Sequence, residues 1–332
     1  MDSMILSSIQ VIRDVRPIEG ADRIEAATVL GYQTVIKKDE FRPGDLCVWH
    51  EPDTILPERP EYEFLRKQGF RLKVSRFRGQ VSQGLALPLS VLPPGAYAPG
   101  ADVTALIGLV KYEKPLAANL AGVAKGGFPS WLRKTDEPNL RSYPEALEEF
   151  RGRRCGLTQK VDGTSGTFYW RDGQFGVCSR NLDLLEDEQN TFWQVARQLK
   201  LAEALAGLGG DFALQGEVHG AGIQSNRLGV QGVGLAAFNL FDIGRQTYVS
   251  HKDLAEFCRT HGVPMVRLVW EGELAFTLDE LVSLANQQAY APGKPAEGIV
   301  IRPFEEARSR VLPNGRLSAK VLSEVYALKY GE

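Results

Sequence analysis

Thr158-Gln159-Lys160-Val161-Asp162-Gly163-Thr164-Ser165 decides how this chain is read. It reads as an apolar strand that carries a lysine, followed at once by an Asp-Gly pair. Asp and Gly together turn a chain sharply, and glycine leaves room for something to approach the backbone. A lysine held at such a turn suits nucleophilic chemistry, because a neutral amine attacks the α-phosphate of a nucleoside triphosphate to form a phosphoramidate. Surface turns also read Lys-x-Asp-Gly, so the meaning of the tetrapeptide depends on what surrounds it.

Downstream, Ser179-Arg180-Asn181 ends a strand after the Gly173 turn, and Gln215-Gly216-Glu217-Val218 sets a carboxylate in an apolar strand. Phe238-Asn239-Leu240-Phe241-Asp242-Ile243 brings aromatics, Glu297-Gly298-Ile299-Val300-Ile301-Arg302 heads a β-branched run with a carboxylate, and Ser318-Ala319-Lys320-Val321 ends with a lysine in a strand. The attacking amine must lose its proton, so its pKa is expected to fall from about 10.4. Partial burial and cations such as Lys320 and a bound metal would lower it. The charge of an in-line transition state on phosphorus calls for a divalent metal and positive side chains. Glu297 suits the metal and Lys320 the α-phosphate. Phe241 suits the base face, and Glu217 with Arg180 the ribose. Each has an ordinary reading beside the chemical one: Glu217 a solvated strand face, Phe241 core, Lys320 an outward lysine, Arg180-Asn181 a turn, Glu297-Gly298 a strand entry. In this order around Lys160 they form one constellation.

Upstream, residues 1–92 read as a β-rich module in which strand-like runs (Ile5–Ile12, Ala26–Ile36, Leu46–His50, Arg71–Phe77, Leu85–Pro88) alternate with turn signals. Short strands packed this closely suit a small barrel of the OB type. Between positions 66 and 78 lie six basic residues and no acidic one, Arg66, Lys67, Arg71, Lys73, Arg76 and Arg78, interleaved with aromatics. That mixture suits phosphate contact with base stacking, against the alternative of a charge-protected strand edge. Residues 93–127 are rich in Gly, Ala and Pro and read as a connection with some helix. Residues 128–332 mix strands with amphipathic helices over Gln189–Leu208, Lys252–His261 and Leu278–Tyr290, an α+β arrangement with antiparallel sheets and no βαβ rhythm.

Composition bounds the rest. The 332 residues are 43% hydrophobic and 24% charged, as in an ordinary globular protein, and the net charge of −2 gives no global attraction to polyanions. No apolar run approaches the roughly 20 residues of a membrane span. Met1-Asp2-Ser3-Met4-Ile5 starts like a strand and carries no secretory signal. The four cysteines are scattered as buried thiols would be in a reducing cytoplasm, and none of the four histidines pairs at a metal-ligand spacing.

Taken together, Lys160-x-Asp162-Gly163, Ser179-Arg180-Asn181, Glu217, Phe241-Asp242-Ile243, Glu297-Gly298-Ile299-Val300 and Lys320 resemble the collinear motifs of covalent nucleotidyltransferases, the polynucleotide ligases and capping enzymes. Ser318–Ser323 and Lys134-Thr135-Asp136-Glu137 narrow the resemblance to RNA ligases, and the N-terminal OB module to the Deinococcus-type (family 5) enzymes. The resemblance implies an OB-fold barrel followed by an antiparallel-sheet adenylyltransferase domain. It implies an ATP-dependent RNA ligase, using Mn2+ or Mg2+, that joins 3′-OH and 5′-phosphate ends of RNA or of an RNA-containing nicked duplex in RNA repair. The expected form is a cytoplasmic monomer without membrane contact. Lys160 would carry AMP, Gln159, Arg180, Glu217, Phe241 and Lys320 would bind the nucleotide, and Glu297 would engage metal. Arg133, Thr135 and Asp136 would join the basic run on nucleic acid. Many ligases carry Lys-x-Lys in the last motif, whereas the first position here is Ser318. A DNA ligase, a GTP-using capping enzyme or a non-catalytic nucleic-acid-binding protein are the alternatives.

Overall fold

The strand that carries the lysine, Arg154–Lys160, sits second in a four-stranded antiparallel sheet, between Leu268–Glu273 and Gly298–Pro303, with Ala319–Leu322 beyond. This is the arrangement in a computed structural model, which describes residues 4–112 and 123–331. Side chains alternate across a sheet. Cys155, Leu157, Ile299, Ile301, Ala319 and Val321 therefore share the inner face, fully buried beneath the helix Leu278–Gln287 and the short helix Leu147–Phe150. Thr158, Val300 and Lys320 form a cross-strand row on the opposite face, one step from Lys160.

Past Lys160 the chain leaves this sheet. Asp162-Gly163 carries it into Thr164–Arg171, a central strand of a seven-stranded antiparallel sheet ordered Ala124–Gly127, Leu182–Leu184, Gln174–Cys178, Thr164–Arg171, Phe212–Gly220, Val233–Asp242, Thr247–Tyr248. Glycine is required at the crossing: a Cβ on Gly163 would meet the Val218 carbonyl at 2.3 Å. One face of the larger sheet buries Phe168, Val177, Leu214 and Leu240 under the helices Thr191–Gln198, Leu201–Ala206 and His251–His261. The expected single helix over Gln189–Leu208 is two, because Lys200 takes a left-handed conformation (φ 51°) and breaks the ladder. Leu278–Tyr290 is also shorter than expected. The helix ends at Gln287, Gln288 is extended (φ −72°, ψ 138°), and Ala289–Ala291 pairs with Lys294–Pro295 across a Pro292-Gly293 turn.

The N-terminal module is an OB-fold barrel. Its five-stranded sheet runs Tyr32–Lys37, Ile24–Val29, Ser7–Pro17, Leu46–His50, Leu85–Leu87. The expected strand Ala26–Ile36 is a hairpin turning at Leu30-Gly31. The long first strand pairs with Leu46–His50 through Ser7–Val11 and with Ile24–Val29 from Ile12 onward, and a register shift between Ile12 and Asp14 lets it serve both. The two ends of the sheet nearly close: Gln83 N–H donates to the Gln33 carbonyl (2.8 Å) and Val35 N–H to Ser82 Oγ (2.9 Å). Of the stretch 93–127, residues up to Lys111 pack on the barrel. Val103, Ile107 and Leu109 are buried with Leu6, Ile9 and Val48, and Val110–Lys111 pairs with Thr54–Ile55. Apolar side chains this close to the barrel lower the free energy by joining its core. Ala124–Gly127 edges the larger sheet. The rest of that stretch, 113–122, and Met1–Ser3 lie outside the described residues. All four cysteines are buried and unpaired, and among the described residues no helix is long and apolar enough to cross a membrane.

The barrel docks on the turn Leu140–Ser142. Gly31 N–H donates to the Arg141 carbonyl (2.9 Å), and Ser142 Oγ bonds Tyr32 (2.8 Å) and Glu51 (3.0 Å). Arg141, buried, reaches Gln83 on the barrel and pairs with Glu324 at 2.7 Å. A Cβ on Gly31 would sit 2.9 Å from the Arg141 carbonyl and 2.6 Å from Leu278 Cδ2. Overpacking of this kind costs about 1–3 kcal/mol. Gly31→Val should therefore loosen the docking, so that calorimetry resolves an early transition for the barrel, lowered by roughly 4–8 °C for each kcal/mol lost. A single unshifted transition would contradict this reading.

Candidate active site

Two sheet ends and one turn build the site. Lys160 is the last residue of its strand, and its Nζ lies 2.8 Å from Oε2 of Glu297, the residue that precedes Gly298–Pro303. Glu217 enters from the larger sheet, opposite Ser165. Asp162, buried in the crossing turn, pairs with Arg227 at 3.4 Å. A phenol joins these parts: Tyr290 Oη accepts from Asp162 N–H (2.7 Å) and Glu297 N–H (3.2 Å), and donates to the Lys160 carbonyl (2.8 Å).

The charges here are coupled. Burial disfavours the Lys160 ammonium, but Glu297, Glu217 and Asp162 outweigh it and hold the amine above its ordinary pKa. The expected lowering is therefore absent from the nucleotide-free site, because carboxylates rather than cations are the nearest neighbours. Burial, with Glu297 and Asp162 adding to it against Lys160, raises Glu217 to about 8. Lys320 goes the other way, lowered to about 8 by burial and by the charges of Lys111 and Lys160. These are macroscopic properties of one cluster.

Lys111 was not anticipated from the sequence. It arrives on a strand paired with the barrel module and stands 3.9 Å from Asp136. Arg180 bonds the same carboxylate at 2.8 Å. Burial works against the Asp136 charge, but Arg180, Lys111, Lys320 and Lys134 together hold its carboxyl below the usual range. Asp136, expected on nucleic acid, is thus an internal counter-ion for the cations of the cleft. That cleft, about 1090 Å³, is lined by Lys320, Glu297, Arg180 and Lys111 and reaches Glu51 and Gln83 of the barrel.

The remaining expected residues divide. Gln159 spends its amide on the Ala289 carbonyl (3.1 Å). Phe241 is 1% exposed, its ring 5.0 Å from Tyr248 among Leu132 and Tyr169, and it lies in the wall of the cleft together with Tyr248. Thr135 bonds Ser165 on the larger sheet, while Arg133 is exposed and its carbonyl accepts from Gln215. Ser318 is buried and accepts from Arg302 Nε (2.9 Å), whose guanidinium also meets Glu137 at 2.6 Å. An arginine on the neighbouring strand thus sets a cation beside position 318. The basic run is not one stripe. Arg66 is paired with Glu63 and Glu58, and Arg71 with Asp53 and the Tyr112 face. Lys67 is exposed and Lys73 half-buried. Arg76 and Arg78 are exposed around Phe77, itself 46% exposed, on the hairpin Ser75–Phe77/Gln80–Ser82.

Among the described residues, no three His, Cys, Asp or Glu side chains are close enough to hold a metal alone. One or two carboxylates completed by substrate phosphates and water is how Mg2+-type ions are commonly held. Glu297, with Glu217 near it, suits that role.

Comparison with known proteins agrees with this architecture. The RNA ligase family matches residues 154–322 and an OB-fold domain family matches residues 6–89. The solved structure of Naegleria gruberi RNA ligase with PPi is 32% identical, with a TM-score of 0.91 over 99% of both chains. A mutant of that ligase with ATP and Mn gives 0.90 over 98% of this chain and 99% of the other, and one with AMP and Mn gives 0.91 over 99% of each, both at 32% identity. No curated protein matches. The strand-end lysine facing a carboxylate, the collinear motifs and these matches lead to one conclusion: the chain belongs to the RNA ligase family, with an OB-fold barrel ahead of an antiparallel-sheet ligase domain.

Proposed function

We propose that the chain is an ATP-dependent RNA ligase that seals 3′-OH to 5′-phosphate ends at nicks in RNA-containing duplexes, in RNA repair, acting as a monomer. The observation that carries the reading is the Lys160 amine at 2.8 Å from Glu297, beside a strand that bears Lys320. The Naegleria ligase structures that hold ATP, AMP and PPi with or without Mn support the choice of nucleotide. The N-terminal position of the OB module is our ground for the Deinococcus-type branch, a layout shared with the Naegleria ligase.

In the first step Lys160 Nζ, once deprotonated, attacks the α-phosphorus of ATP. The P–N bond forms as the bond to the bridging oxygen breaks, and pyrophosphate leaves. Lys320 offsets charge on the α-phosphate, and Lys111 is placed to help. Arg180, released from Asp136, and Glu217 hold the ribose; Phe241 stacks on adenine if Tyr248 gives way. Glu297 would hold a divalent ion, which when bound would supply charge to stabilise the in-line transition state and favour the neutral amine. An oxygen of the RNA 5′-phosphate then displaces Lys160 from the AMP phosphorus. Finally the 3′-OH attacks that 5′-phosphate, AMP leaves, and a phosphodiester remains. Arg76, Phe77 and Arg78 project from the barrel as the surface that grips the duplex around the break.

Protein incubated with Mn2+ and α-labelled ATP should carry label through a denaturing gel, and Lys160→Met should carry none. Label from GTP alone, or label retained by the variant, would overturn the reading. The Arg76→Ala/Arg78→Ala protein should adenylylate as wild type does but seal nicks more weakly. Its binding should also depend less on salt, the slope falling by roughly 2. An unchanged salt slope with unchanged sealing would remove the hairpin from the interface.

A further inference from the structure

We propose that Tyr290 is a positioning residue for lysine adenylylation, its phenol oxygen tying the backbone at the nucleophile to the backbone at the carboxylate that faces it. The inference rests on Lys160 being the adenylylated residue. The hydrogen-bond directions follow from chemistry. The N–H groups of Asp162 and Glu297 can only donate, so the phenol oxygen accepts both, at 2.7 and 3.2 Å. Its own hydrogen goes to the Lys160 carbonyl at 2.8 Å. One donor and two lone pairs are then all in use, the full capacity of a hydroxyl.

The place of this junction gives it consequence. Lys160 and Gly298 are the last ladder partners of their strands, and beyond them the chain turns away toward the larger sheet. Among the described residues the ladder between these two strands ends at Lys160 and Gly298, so the phenol takes over where the ladder stops. Tyr290 is itself fixed: it lies on the hairpin Ala289–Ala291/Lys294–Pro295, which Gln159 Nε2 grips through the Ala289 carbonyl (3.1 Å) and Ala296 N–H grips through the Gln288 carbonyl (2.9 Å). A nucleophile displaced by about 1 Å loses roughly 10²-fold in rate.

The test is single-turnover transfer of labelled AMP from ATP with Mn2+, read as maximal rate and half-saturating ATP. Tyr290→Phe removes all three bonds and keeps the ring. Its maximal rate should fall by roughly 10²-fold, with half-saturating ATP little changed. Tyr290→His, which keeps a ring donor and acceptor, should fall between that variant and wild type, and decides the matter alone if the phenylalanine protein does not fold. Leu281→Ala, a core truncation under the same sheet, controls for stability and should lower the melting temperature while labelling at the wild-type rate. Wild-type rates in Tyr290→Phe, or a loss that Leu281→Ala reproduces, would overturn the proposal. An unlabelled wild type would instead overturn the reading of Lys160, and this proposal with it.

Discussion

The pairing of Lys160 with Glu297, 2.8 Å apart where two strands end, is the constraint on which the rest of the structure depends. A lysine amine with carboxylates for neighbours is held charged and therefore unreactive. The fold keeps that pair in place from three directions: the ladder with Gly298, the Asp162-Gly163 crossing into the larger sheet, and the Tyr290 phenol. The same arrangement bears on how the amine would become reactive in the proposed adenylylation. A divalent ion on Glu297 would take the carboxylate's charge for itself, and the amine would then feel burial and the Lys320 charge, both of which favour its neutral form.

The second theme is the use of internal counter-ions. Arg180 and Lys111 converge on Asp136, and Arg302 on Glu137. Cations gathered to receive a polyphosphate would repel one another in an empty cleft, and a carboxylate among them offsets that repulsion. Lys111 comes from a strand attached to the barrel, so the N-terminal module contributes to the lining of the cleft. That module is held to the ligase domain by Arg141, Ser142 and the bare backbone of Gly31.

Much of this was legible in the sequence. The Lys-x-Asp-Gly turn, the two carboxylates and the final lysine are each fixed by local strand pattern, and their order along the chain carries the chemistry. The barrel, too, was visible in its alternation of strands and turns. What could not be read are contacts made across long separations. Tyr290 sits where the apolar helical pattern of the sequence continues, and only the Pro292-Gly293 turn ahead hints that it belongs to a hairpin. Lys111 lies in a stretch of Gly, Ala and Pro whose composition suggests a connector, while its buried Ile107 and Leu109 join the barrel core. Charge counting alone made one patch of Arg66 to Arg78, because it could not see Glu63, Glu58 and Asp53 neutralising part of it. Phe241 followed its motif but packs on Tyr248.

The charge state of the Lys160 amine can be measured directly. Lysine Cε signals of isotopically labelled protein, with Lys160 identified by its loss in the Lys160→Met variant, report each titration separately. In nucleotide-free, metal-free protein Lys160 should titrate above the ordinary lysine value and Lys320 near 8. A Lys160 amine that titrates below the ordinary value in that state would contradict this reading.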